Sequence, residues 1–501
     1  MNNIVILNAL NISEYAYKEL YQNRHSVSYA VESAGGMPEI TEKAVLLPPG
    51  AGTEAFEGFK HFMVDDNTPS GLIEALTKVA AGFDNIFYYG ADCPLVDISL
   101  TQKMYSNHCR YFCEYTFADG FPSGISVEII KPSILSMLAK LAEHSTEAIE
   151  RDSIFSLIEK DINAFEIETE ISPDDQRLLR VRLYPDTKRN FLQLQSIFTA
   201  VSEGSEEESV SGRILKTVRN RGELLRSLPI FFEFETSSAH PQQLNYMPEN
   251  GGLSGRGNEM SLGDFKSALE KISGFSGDAV ISLSVRNEPA LHSDVSGLAA
   301  AVLKYDNFSL LIETSGIGWQ TGQLDAILSM DSGKISWIVD LDALDRGIYE
   351  KLRGGGYDEA YAFAERLYAE SPDNTWVQVV RMKENEEDNE LFYKYWKERT
   401  NNVIIQKYDW CCGRLEQRKV TDLSPVKRLP CWHLKRELTV LVDGSVPLCR
   451  DDLDCETVLG NLFTDNIEEI WLAGSDIYRQ HLDEEYPGIC RNCDEYYTYN
   501  Y

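Results

Sequence analysis

Between residues 229 and 407 the sequence repeats one unit, a short apolar and β-prone run followed by a stretch long enough to cross back over a sheet as a helix. The runs fall at 229–235, 279–285, 308–313, 335–340, 376–382 and 403–407. Strands joined by crossovers of about a dozen residues or more pair in parallel, with helices covering the sheet. Six such units predict a barrel or partial barrel of the (β/α)6 type. Helical spacing is clearest over 357–369, where Tyr361, Ala364 and Leu367 with Tyr368 form an apolar stripe expected to pack on the sheet as core.

The residues ahead of the barrel read as a separate α/β body with a parallel sheet. Strands are expected at 4–8 and 85–89 and a helix at 71–80, and the second strand ends in Gly90-Ala91-Asp92. Parallel sheets bind ligands at the carboxyl ends of their strands. Segment 202–212, rich in serine, glycine and acid, has the composition of a solvated linker. The expected domains are therefore 1–201, a linker at 202–212, the barrel at 213–425 and a cysteine-rich end at 426–501. In that end, runs 438–442 and 446–448 joined by Asp443-Gly444-Ser445 give a hairpin signal.

Charge and hydropathy exclude several partners. The chain has 79 acidic against 47 basic residues, so its average surface repels nucleic-acid backbones and anionic lipid. It has no apolar run of about 18 residues or more, and residues 1–10 carry no basic region or small-residue cleavage pattern. A cytoplasmic protein with no nucleic-acid or membrane partner is expected.

Ten cysteines in 501 residues are too sparse for a disulfide scaffold, yet five of them fall between positions 431 and 493. Cys431 and Cys449 flank the hairpin signal, and Cys490 and Cys493 form a C-x2-C pair beside Pro487-Gly488. Four converging thiolates suit zinc or a [4Fe-4S] cluster equally by spacing. Cys455 lies among Asp451, Asp452 and Asp454, whose charge raises a thiol pKa and opposes ligation. Adjacent Cys411 and Cys412 diverge in extended chain and are not expected to chelate one ion. Cys93, Cys109 and Cys113 read as core residues.

Segment 430–494 resembles the SPASM domain appended to radical S-adenosylmethionine (SAM) peptide-modifying enzymes. The resemblance rests on Cys431, on Val442-Asp443-Gly444-Ser445-Val446-Pro447-Leu448-Cys449, on Val458-Leu459-Gly460-Asn461-Leu462, on Ile470-Trp471 and on Cys490-Arg491-Asn492-Cys493. It implies one auxiliary [4Fe-4S] cluster on Cys431, Cys449, Cys490 and Cys493. Full SPASM domains carry more cysteines and a second cluster, so this set resembles a one-cluster variant.

The barrel resembles that of radical SAM enzymes: Asn287-Glu288-Pro289 is similar to the family's Gly-Glu-Pro segment, and Ile312-Glu313-Thr314-Ser315-Gly316 to its third strand end. The family's C-x3-C-x2-C loop gives three irons a thiolate each and leaves a fourth open for SAM. Here those positions are Ala239, Gln243 and Tyr246, and His240 reads as a polar loop residue. SAM binding and cleavage are not expected. Residues 1–195 resemble sugar cytidylyltransferases through Tyr89-Gly90-Ala91-Asp92-Cys93-Pro94-Leu95-Val96-Asp97 and the segment from Asp119 to Glu128, which implies Mg2+ on Asp92. The family's glycine-rich, cationic phosphate loop corresponds to residues 8–15, which hold no Gly, Lys or Arg.

The whole chain is thus similar to spirochaete-type SPASM proteins. That implies an iron-sulfur radical SAM pseudoenzyme that binds a peptide, a glycan precursor or a protein partner. The alternatives are a Mg2+-dependent sugar nucleotidyltransferase with an atypical phosphate loop and a working radical SAM enzyme.

Overall fold

The computed structural model describes residues 1–203, 208–248, 259–330, 332–422 and 424–497. The chain divides into two compact units, Met1–Ser227 and Leu228–Tyr501.

The first unit is built on a seven-stranded sheet. Its strands are β1 (Asn3–Asn8), β2 (Ile40–Leu47), β3 (Lys60–Met63), β4 (Asn85–Gly90), β5 (Tyr115–Asp119), β6 (Glu128–Ile130) and β7 (Ile167–Ile171), in the order β3-β2-β1-β4-β6-β5-β7. The expected strands and the helix α1 (Pro69–Val79) are present. The sheet is mixed rather than wholly parallel, because the short β6 runs antiparallel to both β4 and β5. β1 is buried on both faces: Val5 and Leu7 enter one core and Ile4 and Ile6 the other. A continuous apolar run is what such a two-sided strand requires. The further helices of this unit include α2 (Ile98–Arg110), α3 (Lys188–Ser202) and α4 (Val210–Asn220).

α4 corrects the reading of 202–212 as linker. Residues 204–207 lie outside the described residues, but Ser209 caps α4 by accepting from the Gly212 N–H, and Ile214 and Val218 are buried in the first unit's core. Serine and glycine here serve a helix start, a role that composition alone does not separate from a linker.

The second unit has a seven-stranded parallel sheet. Strands β8 (Phe231–Phe234), β9 (Ala279–Ser282), β10 (Phe308–Thr314), β11 (Ile335–Asp340), β12 (Thr375–Arg381) and β13 (Val403–Lys407) are the six expected, and β14 (Glu437–Val440) is added beside β8. The order is β13-β12-β11-β10-β9-β8-β14, every pairing parallel. Crossovers include α5 (Leu262–Ser276), α6 (Val295–Val302), α7 (Thr321–Leu328), α8 (Arg346–Arg353), α9 (Tyr357–Glu370) and α10 (Glu386–Lys397). On α9, Tyr361, Ala364 and Leu367 are buried in the barrel core as the stripe predicts, while Tyr368 is half-buried.

β14 also corrects the hairpin. It pairs with β8, whereas β15 (Ser445–Pro447) pairs antiparallel with β16 (Val458–Asn461), so the two halves of the expected hairpin serve different sheets. Only the turn between them matches: Gly444 has φ +82, and a Cβ there would stand 2.5 Å from the Phe463 ring. Among the described residues no helix is long and apolar enough to cross a membrane.

A buried histidine makes the first unit sensitive to acid. His108 on α2 is 1% exposed, with Nδ1 2.8 Å from the Thr116 hydroxyl and Nε2 3.1 Å from the Asn85 amide oxygen. Burial, with Lys131 adding to it, pushes its pKa down from 6.5 to about 4. Below pH 6.5 the unfolded chain binds a proton that the folded unit refuses. Stability is therefore expected to fall between pH 6.5 and 4, by on the order of 3 kcal/mol. Because all seven tryptophans lie in the second unit, hydrogen exchange of the α2 amides is the measurement. His108→Gln is expected to flatten the pH dependence.

Candidate metal centre

The cysteine-rich end folds around its thiols. Cys431 immediately precedes the short helix α11 (Trp432–Arg436), Cys449 follows β15, and Cys490 and Cys493 lie on the turn after α12 (Ile467–Ala473) and α13 (Ser475–Leu482). Cys431 and Cys490 are buried with Leu434, Leu448 and Tyr478 in one small core, and Cys449 and Cys493 are half-buried. Backbone amides face the sulfurs. The Glu495 N–H donates to Cys493 Sγ at 3.3 Å, His433 and Leu434 present theirs to Cys431, and Asp451 presents its own to Cys449. Amides placed in this way favour thiolates over thiols.

Burial pushes Cys431 and Cys449 well above the usual thiol range and Cys490 up to about 12, and the Cys493 sulfur raises all three further. A set of thiols that oppose one another's ionisation in a buried site fits a cationic centre that would draw the protons off. Its size also bears on the metal. Two sulfurs on one tetrahedral zinc stand ~3.8 Å apart, given Zn–S bonds of about 2.3 Å. Among the described residues, the groups of three or more donor atoms within 4.8 Å of one another do not include three of these four sulfurs. Four thiols are a donor set that a [4Fe-4S] cluster and a zinc ion both accept.

One close group does form there, and it includes a residue the sequence reading set aside. Cys412 Sγ, a carboxylate oxygen of Asp451 and Cys493 Sγ all lie within 4.8 Å of one another. Cys411 and Cys412 do diverge: the Cys411 sulfur lies 3.8 Å from Asp409 Oδ2, while Cys412 turns to Cys493. Divergence excludes the pair, not each member, and spacing gave no signal for Cys412. Cys455 sits in a turn at φ +51, its N–H donating to the Asp452 carbonyl.

Two arginines tie this end to the barrel. Arg450, beside Cys449, pairs at 2.9 Å with Glu233 on β8 and donates to the Val285 carbonyl. Arg286 pairs with Asp451 and, at 3.3 Å, with Asp409. Burial holds the Glu233 carboxyl up at about 7 in spite of Arg450.

At the carboxyl ends of β8 to β11 the polar groups are paired with one another. Glu288 accepts from the Thr314 hydroxyl at 2.5 Å and from the Ser315 N–H and hydroxyl at 2.7 and 2.6 Å. The Asn287 amide donates to Thr236 and to the Leu283 carbonyl. Tyr246 donates to Asp342 at 2.5 Å, and Arg353 pairs with the same carboxylate while donating to Tyr246 at 3.0 Å and to Gln242 at 2.9 Å. Asp342 and Arg353 are 0% and 1% exposed. Burial pushes His240 down to about 4, a neutral ring whose Nδ1 accepts the Gln242 N–H. Loop 239–246 is thus fastened by a buried ion pair at the place where the resemblance called for thiolates.

In the first unit Asp92 has a different occupation from the expected Mg2+ ligand. Its carboxylate is wholly buried and accepts two hydrogen bonds, at 2.9 and 2.6 Å, from the Arg151 guanidinium, which lies over the Tyr184 ring at 3.6 Å. Gly90 makes room, since a Cβ there would meet Arg151 Nη1 at 2.5 Å. The sequence could not show this, because Arg151 is distant in the chain. Cys93 and Cys113 are buried core residues.

The SPASM family, an iron-sulfur cluster-binding domain, matches residues 431–494. An uncharacterized protein of Treponema pallidum (strain Nichols) is 39% identical over 368 residues, which make up 70% of this chain and 98% of that protein. Among solved structures, BtrN in complex with AdoMet and 2-DOIA is similar over 53% of this chain and 93% of its own, with 19% identity and a TM-score of 0.37. A cytidylyltransferase from Leptospira borgpetersenii serovar Hardjo-bovis (strain JB197) is similar over 45% of this chain and 96% of its own, with 18% identity and a TM-score of 0.38.

The geometry ranks the thiols. Anaerobically reconstituted protein is expected to hold about four irons per chain. Cys490→Ala should bring that close to zero by removing a buried donor, and Cys455→Ser should leave it unchanged; iron and sulfide analysis checks both.

Proposed function

Since the chain belongs to the family of the Treponema pallidum protein that it matches over nearly that protein's whole length, and carries a SPASM iron-sulfur cluster-binding domain, we propose that it is a one-cluster iron-sulfur protein on a radical SAM-like barrel that no longer cleaves SAM and binds a peptide or glycan precursor. A [4Fe-4S] cluster on Cys431, Cys449, Cys490 and Cys493 would supply one-electron transfer. The chain's own part is to hold it in a partly buried pocket, with amides directed at the sulfurs.

The observation that carries the reading is the filling of loop 239–246. Reductive cleavage of SAM needs an iron with an open position. Ala239, Gln243 and Tyr246 offer no thiolate, and Tyr246 is committed to Asp342 and Arg353. Breaking that pair would leave an uncompensated buried charge, at a cost of about 3–5 kcal/mol. Glu288 and Asn287 are likewise engaged by Thr314, Ser315 and Thr236.

Glu235, Arg286, Arg450 and Asp452 with Leu441 and Pro447 line a small depression with room for about one water molecule. Ten cysteines in 501 residues, too sparse for a disulfide scaffold, support a reducing, cytoplasmic setting. The nucleotidyltransferase alternative has less support, since Arg151 takes the Asp92 carboxylate.

The test is turnover. Reconstituted protein given SAM and dithionite is expected to yield no 5′-deoxyadenosine while keeping its iron. Catalytic formation of 5′-deoxyadenosine would overturn the reading.

A further inference from the structure

Beyond the four proposed cluster ligands, one further thiol comes close to them, and its position is specific. Cys412 Sγ and Cys493 Sγ lie within 4.8 Å of each other. Thiolates that share one tetrahedral metal stand ~3.8 Å apart. Sulfurs that serve different corners of a cubane are held farther apart by the cluster between them. Cys412 therefore stands where a second ligand to the iron of Cys493 would stand, rather than at a corner of its own.

The chain invests in placing it there. Cys411 and Cys412 both lie in the left-handed region, at φ +53 and +55, followed by Gly413 at +90. Two consecutive non-glycine residues in that region are costly. The turn is anchored by the Cys411 N–H, which donates to Asp409 at 2.7 Å, and Asp409 in turn pairs with Arg286.

We propose that Cys412 is a resident alternate ligand that takes over the iron of Cys493 when Cys493 is lost or displaced. The proposal rests on the reading of Cys431, Cys449, Cys490 and Cys493 as cluster ligands. In the exchange one Fe–S(Cys493) bond breaks and one Fe–S(Cys412) bond forms. The Cys412 thiol gives its proton to solvent, the departing thiolate takes one up, and no electron moves. The site has a physical use: a cluster with a spare thiol beside one corner keeps its iron when the thiolate at that corner is displaced.

The experiment counts iron and sulfide in four anaerobically reconstituted proteins of full length: native, Cys412→Ala, Cys493→Ala and the Cys412→Ala/Cys493→Ala double variant, with Cys490→Ala as the reference for a lost corner. The proposal expects Cys412→Ala and Cys493→Ala each to retain at least three quarters of the native iron, and the double variant to fall to the Cys490→Ala level. Alkylation mapped by mass spectrometry gives a second reading that does not depend on yield. In the native holoprotein Cys412 is expected to be alkylated and Cys493 protected, and in holo Cys493→Ala, Cys412 becomes protected.

Cys493→Ala that loses as much iron as the double variant would overturn the proposal and leave the four-ligand reading standing. Loss of the cluster in Cys412→Ala alone would overturn it in the other direction, by making Cys412 an obligatory ligand. Native protein that binds no iron would overturn both.

Discussion

The pairing of Glu437–Val440 with Phe231–Phe234 is the contact on which the second unit depends. It places a strand from the cysteine-rich end beside the first strand of the barrel, in parallel and in register. The chain that follows must then leave the sheet at the barrel mouth, through the Gly444 turn, before it reaches Cys449. The thiol pocket and the strand ends thus belong to one rigid piece of structure, and Arg450 on Glu233 and Arg286 on Asp451 add charged ties across the same seam.

Those ties explain why the interior carries so much buried charge. Buried ion pairs contribute little net stability, because desolvation offsets most of their attraction, but losing one partner is expensive. Asp342 with Arg353, Asp451 with Arg286 and Glu233 with Arg450 therefore act as registration devices. Each fixes one loop against another, and each penalises any arrangement that leaves it unpaired. Around Tyr246 this logic has gone furthest, since loop 239–246 is held by a tyrosine, an arginine and an aspartate.

Much of this was legible in the sequence wherever periodicity decides. The six barrel strands, the α9 stripe and the strand at 4–8 follow from the spacing of apolar residues, because burial imposes that spacing directly. The hairpin was misread because the runs on either side of Asp443-Gly444-Ser445 reveal β propensity but not which strand each will pair with; β14 and β15 go to different sheets. The start of α4 was hidden because serine and glycine suit a helix cap and a linker alike. Contacts between residues far apart in sequence left no local trace at all. Arg151 on Asp92 and Cys412 beside Cys493 are both of this kind.

The central claim is that the chain holds one fully ligated cluster at its carboxyl end and no iron open to SAM. Mössbauer spectroscopy of protein reconstituted with isotopically enriched iron, recorded before and after addition of SAM, tests it most directly. The account predicts a single [4Fe-4S] species whose spectrum SAM leaves unchanged. A unique iron site that shifts when SAM is added would contradict it.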